Sequence, residues 1–75
     1  MYLHIGNNVI VPAEEIIAVI DGKFDDKTRQ TITDAVPKGK TVRSTVLTDD
    51  AVYFSAINAT TLQSRSVWQN ITETL

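Results

Sequence analysis

The sequence predicts a single small α+β domain of about five strands, mainly antiparallel, with two helices. Three observations carry that expectation. Short β-branched and aromatic runs alternate with turn residues through residues 2–20 and again through 43–57. After Asn58 the apolar residues instead recur at spacings of three and four, as on one stripe of a helix. The length is 75 residues with 43% hydrophobic side chains, enough for one core and too little for two.

Residues 2–5 and 9–11 read as two opening strands, because Gly6-Asn7-Asn8 between them tolerates positive φ and suits a tight hairpin. Pro12-Ala13-Glu14-Glu15 breaks that ladder, since proline lacks an amide donor. Ile16-Ile17-Ala18-Val19-Ile20 follows, and its four β-branched residues favour a strand buried on both faces over a helix. Asp21-Gly22 ends it.

Asp25 or Asp26 can cap a helix of about ten residues that places Ile32, Ala35 and Val36 on one face. That helix must stop by Val36, because Pro37 disfavours helical geometry in the residue before it. Pro37-Lys38-Gly39-Lys40 is turn chemistry. Residues 43–48 and 51–57 then read as two strands joined at Asp49-Asp50, a link short enough to require antiparallel pairing. Val52, Phe54 and Ala56 share one face of the second strand, and Tyr53, Ser55 and Ile57 the other. Asn58 or Thr60 can cap the last helix, whose stripe is Leu62, Val67, Trp68, Ile71 and Leu75. Trp68 packs either on the sheet or, with Ile71, on a neighbouring subunit, and residues 66–75 form a C-terminal helical extension of the single 1–75 domain.

Composition narrows the chemistry. The chain has no cysteine, which removes disulfides and thiolate metal sites. His4 is the one histidine, so no metal set suggests itself and no metal or cofactor is expected. The pairs Glu14-Glu15, Asp25-Asp26 and Asp49-Asp50 are adjacent in sequence, where side chains diverge on a strand or serve a turn, and none resembles a catalytic dyad. Three scattered glycines make no phosphate loop. The expectation is therefore a binding or assembly module without catalytic residues. With no leader-like start and no long apolar run, the sequence reads as cytoplasmic, with no membrane partner.

A net charge of -2 offers no global attraction to nucleic acid, so only a local patch could bind it. Lys38, Lys40 and Arg43 crowd one loop, and Arg65 stands alone later. Such a cluster is either a solvated turn or an anion-binding patch.

Several strings together resemble a known family. They are Tyr2-Leu3-His4-Ile5-Gly6-Asn7, Val9-Ile10-Val11-Pro12 with Ile16-Ile17-Ala18-Val19, and Arg43-Ser44 through Val46-Leu47-Thr48-Asp49. Val52-Tyr53-Phe54-Ser55, Thr61-Leu62 and Arg65 complete the set. Over about residues 1–65 the sequence resembles the Rem family of bacterial extracellular-matrix regulators, and the RemB-like branch more than the RemA-like one. The resemblance implies a fold similar to the LytTR DNA-binding domain, assembly into homo-oligomeric rings, and DNA-binding transcription regulation of matrix and biofilm genes. It implies phosphate contact by the basic loop, here Lys38, Lys40 and Arg43, with Arg65 as a further DNA-binding candidate. RemA-like members carry an arginine early in the chain where Glu14-Glu15 stand here, a departure that opposes phosphate binding. The rival reading is an oligomeric scaffold or protein-interaction module that has lost DNA binding, partnered by a more basic paralogue or another protein.

Overall fold

The computed structural model describes residues 1–65. Val67, Trp68, Ile71 and Leu75, and with them the proposed extension and its interface residues, lie outside the described residues. Strands β1 (Tyr2–Gly6) and β2 (Val9–Pro12) form an antiparallel hairpin. Asn7 and Asn8 take φ of 48° and 64° at its tip, the left-handed geometry that asparagine tolerates better than most residues. A three-residue 3-10 turn, Ala13–Glu15, leads into β3 (Ile16–Asp21).

A second sheet has the order β3-β5-β6-β4, with β4 at Gln30–Ile32, β5 at Ser44–Thr48 and β6 at Ala51–Ser55. β5 is antiparallel to both β3 and β6, as the short Asp49-Asp50 link requires, whereas β4 runs parallel to β6. Relative to the sequence expectation, β5 starts one residue later and β6 ends two residues sooner. The hairpin lies over one face of this sheet. Leu3, Ile5 and Val11 meet Val46, Ala35 and Leu62 there, with Tyr53 and Ile57 packed against them. Ser55, fully buried, ties the two layers together by donating from Oγ to the Ile5 carbonyl at 2.7 Å. Thr45 and Phe54 are buried on the opposite face, where the Phe24 amide donates to Thr45 Oγ1 at 2.9 Å.

Two expectations are corrected. The helix proposed after Asp25-Asp26 is absent, and its residues supply a turn and β4, so the described chain has six strands and one helix. The cause is competition for backbone donors. Asp26 Oδ1 accepts from both the amide and the hydroxyl of Thr28, at 2.9 and 2.6 Å, which closes a local turn. The Gln30 amide donates across the sheet to the Asp50 carbonyl at 3.1 Å, and the β-branched run Thr31-Ile32-Thr33 suits that extended path. Second, β3 is an edge strand paired only with β5 and is not buried on both faces; a register irregularity between Ile16 and Ala18 accompanies an Ile17 left 54% exposed. Of the two caps the sequence offered for the last helix, α1, described over residues 59–65, the structure uses Asn58. Asn58 Oδ1 accepts from the Thr61 amide at 2.8 Å, the expected N-cap bond to the third helical residue.

Candidate nucleic-acid interface

The basic loop is held at both ends. On its β4 side Ala35 is buried and the Val36 amide donates to the Thr33 carbonyl at 3.0 Å. The Lys40 amide then donates to the Pro37 carbonyl at 3.0 Å, closing a turn in which Gly39 adopts φ of 86°. On the β5 side Arg43 continues the strand pairing beyond the sheet's formal end: its amide donates to the Ser55 carbonyl at 2.8 Å, and its carbonyl accepts from the Gly22 amide at 2.9 Å. The backbone under Arg43 is therefore fixed while its side chain is exposed, as are those of Lys38 and Lys40. Among the described residues none of these three cations takes part in an ion pair.

Lys40 and Arg43 line one cleft of about 370 Å³ together with Gly6 and Asn7 from the hairpin tip. The tip is fastened to the loop by Asn7 Nδ2, which donates to the Asp34 carbonyl at 2.9 Å. Gly6 approaches so closely that an added Cβ would stand 2.9 Å from the Ala35 carbonyl oxygen. Asn7 and Thr41, which also lines the cleft, were not distinguished as site residues by sequence: Gly6-Asn7-Asn8 carries only a turn signal, and contact across 27 positions leaves no trace in the local pattern. Asp21, paired in register with Ser44, and Asp34 stand at the same end, so the local charge is mixed.

Arg65 serves a structural bond. Its Nη1 donates to the His4 carbonyl at 2.9 Å, pinning the described end of α1 to β1 two residues from Gly6. Its exposed guanidinium keeps further N–H groups for other acceptors. Arg29, by contrast, is spent internally, donating from Nε to the Thr48 carbonyl at 2.8 Å and pairing with Asp26. Hydrogen bonds from the Thr28 hydroxyl and amide, then from Arg29, hold the Asp26 carboxyl below its ordinary range.

Glu14 and Glu15 lie at the opposite end of the hairpin from the cleft. Pro12 pairs with Tyr2 there, and the Ala13 amide donates to the Met1 carbonyl at 2.8 Å. The four residue steps from Tyr2 to Gly6 span roughly 13 Å at the usual strand rise, beyond the ~8 Å screening length of physiological salt. Within one subunit the glutamates thus do little to cancel the field at Arg43.

The family model described as RemA-like, extracellular matrix regulatory protein A-like, matches residues 2–65. The chain belongs to the RemA-like family. The match takes in the hairpin, the four-stranded sheet, the basic loop and the described part of α1. No curated protein matches the sequence. The family's description is that of a regulatory protein. Among the described residues no helix is long and apolar enough to cross a membrane, and no three His, Asp or Glu side chains gather as a metal site.

Proposed function

We propose that the chain is a non-enzymatic DNA-binding transcription regulator of extracellular-matrix genes that works as a homo-oligomeric ring. The observation that carries this reading is the placement of Lys38, Lys40 and Arg43: three cations on one anchored loop, without an ion pair among the described residues, at the end of the molecule remote from Glu14-Glu15. Membership of a family of matrix regulators supports the regulatory half. A subunit of net charge -2 has weak attraction for DNA. Repetition of the loop around a ring multiplies that attraction, because each later contact is intramolecular. Arg43 leads, since a guanidinium grips a phosphate through two hydrogen bonds whereas lysine acts as a point charge. Arg65 adds its spare donors. Trp68 and Ile71 cover a neighbouring subunit in this reading, which also takes in the RemB-like branch and a LytTR-like relation.

Fluorescence anisotropy of a labelled duplex against oligomer of known mass, titrated from low to physiological salt, tests it. Binding is expected to tighten as salt falls, with a log–log slope of about 0.9 per phosphate neutralised. Arg43→Ala should weaken binding to every sequence alike and flatten that slope, with the oligomer's mass unchanged. No binding at low salt from an intact oligomer would overturn the proposal. It would favour the scaffold reading, to which the net charge of -2 and Glu14-Glu15 already lean.

A further inference from the structure

The cleft beside Arg43 is a half-open concavity with an apolar side, which contact with a duplex backbone does not require. Phosphates on a duplex stand on a convex ridge, and cations on an open surface reach them without any concavity. Here the polar groups of Lys40, Thr41, Arg43 and Asn7 share about 370 Å³ with the apolar surfaces of Pro37 and Ile57. A few convergent polar groups in a largely apolar hollow is the pattern of small-molecule sites, and this volume falls at the lower end of their range of about 300–1,000 Å³. The backbone of the lining is also fixed before any ligand arrives. Asn7 is tied to the Asp34 carbonyl, the Lys40 amide to Pro37, and the Arg43 amide to Ser55. Ser44 Oγ donates to the Ile57 carbonyl at 2.6 Å, fixing the apolar side as well. Backbone ordering is therefore complete before binding, and the remaining cost is that of ordering the Lys40 and Arg43 side chains.

We infer that this cleft binds a free nucleoside monophosphate. Its phosphate dianion meets the Arg43 guanidinium and the Lys40 ammonium, with the Thr41 hydroxyl as a further donor. Its planar base lies on Pro37 and Ile57, the apolar part of the lining. Asn7 has one amide N–H engaged with Asp34, which leaves its second N–H and its carbonyl oxygen for polar atoms on the base edge. The inference stands on the cleft's own geometry and shares with the nucleic-acid reading only the two cations.

Isothermal titration calorimetry of the full chain, in whatever oligomer it forms, tests it with AMP as the probe and with adenosine and inorganic phosphate as its two halves. The expected result is saturable binding of one AMP per subunit, about tenfold or more tighter than either half. Arg43→Ala should weaken AMP by about tenfold, the worth of one charge-assisted hydrogen bond, and leave adenosine unchanged. Thr41→Val, which keeps the side chain's shape, should weaken AMP without altering adenosine. Absence of saturable heat at millimolar AMP would overturn the inference. So would inorganic phosphate binding as tightly as AMP, or an Arg43→Ala variant that binds AMP normally. Duplex binding measured on the same preparation separates the two proposals: AMP bound with no duplex bound leaves this site standing and defeats the regulator reading, and the reverse defeats this one alone.

Discussion

Replacing Gly6 by alanine should destabilise the fold by about 3 kcal/mol, from two costs that the structure places at one residue. Gly6 holds φ of 118°, a conformation that costs a side-chain-bearing residue about 1–2 kcal/mol. Its missing Cβ would also stand 2.9 Å from the Ala35 carbonyl oxygen, and backbone cannot swing aside as a side chain can. Moving such a neighbour costs about 1–3 kcal/mol. Restriction of the unfolded chain by alanine returns about 0.4–1 kcal/mol. Gly39 is the control, because it has φ of 86° and nothing within 4 Å of a built Cβ. Gly39→Ala should therefore cost only about 1 kcal/mol, the torsional part less the same unfolded-state gain. Thermal melts at matched protein concentration, which holds any assembly contribution constant, should place Gly6→Ala some 8–16 °C below Gly39→Ala, at about 4–8 °C per kcal/mol for a domain of this size. Coincident midpoints would refute the close approach of the hairpin tip to the basic loop, and with it the geometry of the cleft.

Three other outcomes follow from individual residues. Ser55→Ala removes the buried hydroxyl that donates to the Ile5 carbonyl and accepts from the Ile57 amide, and should cost about 1–3 kcal/mol in urea denaturation; a neutral result would mean that other partners replace the hydroxyl. Leu62→Ala, fully buried where α1 meets the hairpin and sheet, should cost about 2–5 kcal/mol, and a loss under 1 kcal/mol would indicate that α1 is not docked as described. For Asp26 the folded state binds its proton less readily than the unfolded state, so its stabilising contribution is complete above the ordinary carboxylate range and disappears as pH falls through the lowered value. Asp26→Asn should accordingly flatten the acid side of the stability–pH curve; an unchanged acid limb would show that Asp26 plays no part in it.

Much of the architecture was legible locally. The hairpin, β3, the β5–β6 pair and the capped start of α1 each had a short-range cause: asparagines able to take positive φ, a β-branched run, a two-residue link, and a side-chain acceptor three residues before its donor. The segment after Asp25 failed as a helix because its deciding bonds are not local. Gln30 gives its amide to Asp50, and Arg29 its Nε to the Thr48 carbonyl, partners about twenty positions away. The candidate site divides in the same way. Lys38, Lys40 and Arg43 were visible as a charge cluster in one loop, whereas Asn7 became part of the site only through a bond to Asp34 spanning 27 positions.

The sequence by itself determined the α+β class, the position of the basic loop and the family resemblance, because propensity, turn chemistry and motif order act over a few neighbouring residues. Tertiary structure alone decided that β4 is a strand, that β3 lies at a sheet edge, that Glu14-Glu15 and Arg43 occupy opposite ends, and that the hairpin tip closes a cleft over the loop. Those outcomes depend on which buried surfaces and backbone donors meet across long separations, and no short window of sequence contains both partners.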